Sequence, residues 1–418
     1  MRYRFAIVLV LTSAAVLLVT ALLRRWRLTS MPLPVLAGTV LVSGLVAEAV
    51  PFFSHADAGD RRLLAHVVAA TCLLAAAMLL VPGPRGRTLS AGVATVGVVA
   101  WTATAIALVP APRIDVWVTL QQAADGLANG RNMYTMTWHG SPGIQDAFTY
   151  LPWTAVLLAP GRWLFGDVRW ALLAAMLVGL GCLVALGRRR DRTGRTSSLA
   201  LAAATMLALA PGSVTQAEQA WTEPLLFALI AAWALLVHRG HAWWAVLPLA
   251  LGCASKQHLV LLLPVLACWS LFGWRRSLAT AAAAGGLVLP WFLASPQDFW
   301  HDTVSLLVSF HPIKFANTWF IAAQTELGRT PPFWLTGLVV LGVLALACVV
   351  VRRRQPDLGE LLGWVALVLL VANLVNKQAF YNQFWLVGSL VALAIAASPA
   401  AESPAAESPP AQASSRET

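Results

Sequence analysis

Residues 168–192 read VRWALLAAMLVGLGCLVALGRRRDR. Up to Gly187 the run carries one charge, Arg169, at its mouth; from Arg188 the chain turns abruptly basic. A helix crossing a bilayer needs about 20 mostly apolar residues. Short arginine-rich loops mark the cytoplasmic side. This one stretch therefore sets both a span and its direction, from an outer end near Val168 to a cytoplasmic end at Arg188.

Working outward, similar runs lie at 5–23, 33–53, 63–81, 88–110, 197–213, 221–237, 242–255, 257–272, 277–294, 332–351, 359–376 and 383–398. Of these, 242–255 is short for a crossing. The composition agrees, with 59% hydrophobic and 11% charged residues, against roughly 45–50% and about 25% in soluble domains. No water-soluble surface can be built from so few charges. The sequence predicts an all-α polytopic membrane protein with about 12–13 transmembrane helices. The first run has no small-residue cleavage site and ends in Arg24 and Arg25, so it reads as an anchor. Cys72, Cys182, Cys253, Cys268 and Cys348 all fall in apolar runs without paired spacing, as small core residues do.

Arg85 and Arg87, Arg275 and Arg276, and Arg352 to Arg354 occupy other short loops. All become internal only if 150–166 (YLPWTAVLLAPGRWLFG) does not cross. With Pro152, Pro160 and an aromatic at each end, that segment predicts a juxtamembrane or re-entrant helix. Two long polar segments then face outward, 111–149 running into that helix, and 295–331. On this topology Arg2 and Arg4 lie outside, against the rule. The repeat SPAAESPAAESPP cannot bury enough apolar surface to fold, and 399–418 reads as a disordered cytoplasmic tail. The expected organisation is N-terminal transmembrane helices over 1–87, then a transmembrane core over 88–398 with outer loops 111–167 and 295–331. Sorted this way, the whole net charge of +11 falls on the cytoplasmic side and the outer side is balanced. The charge is an orientation signal, not a nucleic-acid footprint.

The stretch 114–130, IDVWVTLQQAADGLANG, places Val116, Leu120, Ala123, Ala124 and Leu127 on one helical face. Asp115, Thr119, Gln122 and Asn129 fall on another. This predicts an interfacial amphipathic helix lying on the membrane. Asp115 then sits where the chain leaves a span, as a first-turn acid favoured by orphan N–H groups, as a base, or as both.

The order Asp115, Gly130-Arg131-Asn132-Met133-Tyr134, Tyr150-Leu151-Pro152 and Leu164-Phe165-Gly166-Asp167 resembles polyprenyl-phosphate-sugar-dependent glycosyltransferases of the GT-C superfamily. The nearest resemblance is to the bacterial family 87, which includes alpha-mannosyltransferases of glycolipid assembly. Met133 stands where that family commonly has proline. Glu218-Gln219-Ala220-Trp221-Thr222-Glu223-Pro224, Ser255-Lys256-Gln257-His258 and Asn376-Lys377-Gln378-Ala379-Phe380-Tyr381-Asn382 extend the likeness over about residues 100–395. The resemblance implies a GT-C-like bundle in which Asp115 acts on an acceptor hydroxyl while a lipid phosphate leaves the sugar. It also marks Tyr150 as a substrate-binding residue. A positioned carboxylate contributes roughly 10²–10⁴-fold to such a step, and the departing phosphate needs cations, not an acid.

Lysine occurs only as Lys256, Lys314 and Lys377, all expected on the outer side. Lys256 and Lys377, each followed by a glutamine (Gln378 after Lys377) and with His258 and Asn382 near by, suit a lipid phosphate. Interfacial lysines also snorkel to headgroups without any such role. Lys314, in a long loop with His311, is the weaker candidate. Glu218 and Glu223 flank Trp221 and read as sugar-hydroxyl ligands beside a stacking ring, or as a solvated turn with an interfacial tryptophan. Asp146, Asp298 and Asp302 lie in the long loops, where an exposed acid needs no special role. His139, His301 and His311 lack zinc spacing, and no Walker or dinucleotide motif is present, so neither metal nor cofactor is expected.

The leading expectation is a multi-pass cell-membrane glycosyltransferase moving mannose or a pentose such as arabinose from a polyprenyl phosphate. Its acceptor would be a glycolipid or polysaccharide on the extracytoplasmic side. The alternatives are a transporter or flippase of lipid-linked sugars, or a non-catalytic scaffold of the same fold. No nucleic-acid partner is expected. A transporter places ionisable groups near the bilayer midplane in paired repeats; here they cluster at span ends.

Overall fold

A computed structural model describes residues 2–26, 28, 30–50, 54–188 and 197–398. The expected tail 399–418 and all but the first arginine of the Arg188–Arg195 cluster lie outside the described residues. Among the described residues the chain forms nineteen α-helices and no β-strand. Seven are long and apolar enough to cross a membrane: α1 (Arg2–Arg24), α3 (Ala58–Met78), α4 (Pro84–Leu108), α7 (Arg169–Leu186), α13 (Gly273–Ala294), α17 (Phe333–Arg354) and α18 (Leu358–Val375). Shorter apolar helices are α2 (Leu33–Ala49), α8 (Ser198–Ala208), α10 (Glu223–His238), α19 (Tyr381–Ala397) and the segment Gln257–Ala267. The chain is an all-α multi-pass membrane protein.

Helix α18 is apolar on every side and occupies the centre, with Leu361, Leu362, Trp364 and Ala366 fully buried. Helices α1, α13 and α17 bury only a narrow stripe and leave Leu17, Leu278 and Leu341 exposed, as lipid-facing helices do. The expected span at 242–255 shrinks to α11 (Val246–Cys253), eight residues and too short to cross. The run at 257–272 breaks into a 3₁₀ turn and the six-residue α12 (Leu262–Ala267).

Helix α6 (Trp153–Phe165) has thirteen residues. Its length of about 20 Å falls short of a hydrocarbon core about 30 Å thick. It starts after Pro152 and ends at Gly166, whose φ of +81° is the left-handed stop that glycine supplies. Leu158 and Ala159 are buried, while Leu164 and Phe165 are exposed.

Helix α5 (Asp115–Ala128) departs from expectation. Its face Leu120, Ala123 and Ala124 is fully buried in a second, smaller core with Met133, Tyr134, Trp138 and Phe148. The apolar stripe meets protein instead of lipid because the 133–148 segment folds back over it. Arg162 Nε donates to Asp125 Oδ1 at 2.8 Å and Trp163 Nε1 to the Ala124 carbonyl at 2.9 Å, tying α5 to α6. Phe299, from α14 (Pro296–Trp300) in the polar 295–331 segment, completes this core.

Candidate active site

The backbone brings the Tyr150-Leu151-Pro152 segment onto the turn that follows α11. Leu151 N donates to the Ser255 carbonyl at 3.2 Å, Trp153 N to that of Ala254 at 3.2 Å, and Thr154 Oγ1 to that of Ser255 at 2.6 Å. Lys256 is therefore held beside Tyr150, with Nζ 5.6 Å from the ring centroid. The same ammonium donates to Glu223 Oε1 at 2.5 Å and Thr222 Oγ1 at 3.2 Å. Glu223 opens α10, where Pro224 at the first turn and an acid at the helix start are both favoured. Its carboxylate is fully buried, and Oε2 has no hydrogen-bond partner. Asn382 approaches this carboxylate from α19, and His258 stands in the field of both charges.

Asp115 begins α5, and its Oδ1 accepts from Val116 N at 2.8 Å, satisfying one orphan donor of the first turn. The second oxygen faces Gly143, where a Cβ would lie 2.8 Å from Oδ2. Burial raises the Asp115 pKa above the ordinary carboxylate value. The Tyr150 hydroxyl is pushed well above its usual value by burial and by the charges of Asp115 and Glu223, so it stays a proton donor. The charges of Asp115 and Glu223 thus both reach Tyr150, and the Lys256 ammonium stands over its ring.

Of the residues singled out in the sequence, Asp115, Tyr150, Glu223, Lys256, His258 and Asn382 come together. Lys377 and Gln378 do different work. Lys377 Nζ donates to the carbonyls of Val308 and Phe310 at 2.6 and 2.8 Å, and Gln378 Nε2 to that of His311 at 3.2 Å. They fasten the α18–α19 turn to the polar 295–331 segment, and burial lowers the Lys377 pKa. Lys314 lies in the loop before α16 (Trp319–Glu326).

The solvated-turn reading of Glu218 and Glu223 does not hold, since both residues are 0% exposed. Glu218 Oε1 accepts from His55 N, and its carbonyl accepts from Arg169 Nη1 at 3.2 Å. Arg169 is itself fully buried, donating to Asp167 at 2.9 and 2.6 Å and to the Val109 carbonyl at 2.9 Å. Trp117 Nε1 also donates to Asp167, at 3.1 Å. Asp302 is likewise no exposed loop acid: it is 1% exposed and accepts from Phe148 N at 2.7 Å. The one sequence signal for these was a charge at the edge of an apolar run, and Gly143 carried none.

Residues 148–375 match glycosyltransferase family 87. The chain belongs to that family. The family 87 segment includes Tyr150, Glu218, Glu223, Lys256 and His258; Asp115 lies before it, and Lys377, Gln378 and Asn382 just after. A curated protein of Sodalis glossinidius (strain morsitans), the undecaprenyl phosphate-alpha-4-amino-4-deoxy-L-arabinose arabinosyl transferase 1, is 27% identical over 253 residues. That alignment takes in 52% of this family 87 chain and 43% of the relative, so the chain spans less than half of the relative's length. The crystal structure of ArnT from Cupriavidus metallidurans in the apo state is also similar, at 18% identity and a TM-score of 0.45, over 72% of this chain and 59% of that one.

Proposed function

We propose that this family 87 protein transfers a sugar, mannose or a pentose, from a polyprenyl phosphate to a glycolipid or glycan on the extracytoplasmic side of the membrane. The core over 88–398 would carry the reaction. The observation that supports this reading is that Lys256 Nζ stands 5.6 Å from the Tyr150 ring centroid while the charge of Asp115 reaches the same tyrosine. Asp115 takes the proton of an acceptor hydroxyl as that oxygen bonds to the anomeric carbon. The bond from that carbon to the phosphate oxygen breaks, and its electron pair leaves with the phosphate. A base whose pKa burial has raised is the stronger for it.

Lys256 is paired with Glu223, so the two together bring no net charge to a phosphate. The ammonium nonetheless has three donors, two of them engaged by Glu223 and Thr222. The remaining N–H and the Tyr150 hydroxyl are the groups we assign to the departing phosphate, with His258 and Asn382 at its edge. Lys377 and Gln378 are assigned to holding the second outer segment over the site. The name of the Sodalis relative, which pairs an undecaprenyl phosphate with an arabinose derivative, supports a lipid-phosphate donor and the pentose option.

The test is transfer from labelled polyprenyl-phosphate mannose and polyprenyl-phosphate arabinose in membranes carrying the wild type or Asp115→Asn. Transfer by the wild type and its loss in the variant is the expected result. Full transfer by the variant removes Asp115 as the base. Absence of transfer together with lipid movement across vesicles favours the flippase.

A further inference from the structure

The second outer segment contains a constellation that the reaction above does not use. His301–Ser305 forms one turn of π-helix directly after α14, a local widening that often occurs at functional sites. Asp302 Oδ1 accepts from His301 Nδ1 at 2.9 Å, while its Oδ2 accepts from Phe148 N at 2.7 Å. The carboxylate is buried and engaged on both oxygens, so it cannot meet a ligand. When the ring is neutral and gives its Nδ1–H to the acid, Nε2 is an acceptor. The His301 side chain is 55% exposed and lines a wide-open surface cavity of about 490 Å³. Trp300, 57% exposed, and Phe292 give that cavity its apolar wall; Gln297 and Ser305 add polar groups. An open indole beside an oriented imidazole, an amide and a hydroxyl suits a sugar ring, which offers an apolar C–H face and polar hydroxyl edges.

The cavity is also coupled to the site already described. Gln257, next to Lys256, donates through Nε2 to the Thr149 carbonyl at 3.0 Å and to that of Thr303 at 3.4 Å. The Phe148 ring, whose backbone N–H holds Asp302, lies 5.7 Å from the Tyr150 ring.

We infer that the cleft lined by Trp300, His301, Gln297 and Ser305 binds a pyranose unit of the acceptor, with His301 Nε2 accepting from a hydroxyl and Asp302 positioning the imidazole. The acceptor identity rests on the transferase reading. The test uses saturation-transfer NMR of the full chain in nanodiscs, with octyl mannopyranoside, glucopyranoside and galactopyranoside as probes and empty nanodiscs as the blank. Saturation of ring protons is expected for at least one probe. Trp300→Ala, which removes the apolar face, and His301→Asn, which removes one polar contact, each weaken it roughly 2–10-fold. His301→Gln, which keeps a polar group at the Nε2 position, retains it. Retention by His301→Asn with loss in His301→Gln overturns the inference, because then only the link to Asp302 matters. Saturation confined to the octyl chain marks a lipid cleft and overturns it too. Sugar transfer by a chain with no ring saturation rejects this acceptor site alone. Ring saturation without any transfer counts against the transferase reading alone.

Discussion

Lys256 and Glu223 form a desolvated ion pair: Nζ stands 2.5 Å from Oε1, with the carboxylate side chain fully buried and the lysine side chain 12% exposed. Removing one member of such a pair leaves an uncompensated charge and costs about 3–5 kcal/mol. Lys256→Met should therefore unfold more readily than wild type in denaturant, while Lys256→Met with Glu223→Gln should recover much of the loss. Independent, additive effects in that double-mutant cycle would refute the coupling.

Asp115 makes a prediction about pH. Burial raises its folded-state pKa above the ordinary value of 3.8. A base must be ionised, so transfer should decline as pH falls through that raised value, at higher pH than an ordinary carboxylate would give. For stability the sign is opposite. A raised acid stabilises the fold fully below its unfolded value, and that contribution is lost as pH rises through the folded one. Above the folded value nothing remains to lose, so at such pH Asp115→Asn should match or exceed wild type in thermal unfolding while transfer drops about 10²–10⁴-fold. A variant that is both inactive and clearly less stable would point to a structural role.

Gly143 tests the same carboxylate from the other side. A Cβ there would meet Asp115 Oδ2 at 2.8 Å and its Cγ at 3.3 Å. Because Gly143 is exposed in a loop, Gly143→Ala should leave the unfolding midpoint near that of wild type. It should lower transfer by displacing Asp115. Unchanged transfer would mean that Oδ2 is not the working oxygen.

Arg169 is expected to be structural. Its guanidinium is fully buried and binds Asp167 through a fork, with two carbonyls taking the remaining directions. Arg169→Leu strands Asp167 and should cost about 3–5 kcal/mol. Arg169→Lys should rescue only part, because a point-like ammonium cannot reproduce the fork. Purified yield and thermal unfolding in detergent read this directly; a lysine variant as stable as wild type would contradict it.

The spans were legible where the apolar run was long and uninterrupted, as in α7 and α18. Legibility failed at 242–255, where a run of apolar residues became an eight-residue helix flanked by turns. It failed again in α5: amphipathicity reports which face is apolar, but not whether lipid or protein covers it. Asp302 was unreadable for a related reason. Its burial and its bond to Phe148 N join residues 154 positions apart, and nothing local encodes that distance.

By itself the sequence determined the membrane setting, the positions of the long polar segments and the short list of acids and lysines from which a site could be drawn. Those follow from bulk composition and from the cost of placing charge in hydrocarbon, both properties of local stretches. Only the tertiary structure decided that Lys256 is neutralised by Glu223, that Lys377 holds a loop and that the Asp115 carboxylate packs against Gly143. Each is a contact between separate segments, and a charge becomes a ligand, a strut or half of a pair according to what packing places within about 3 Å of it.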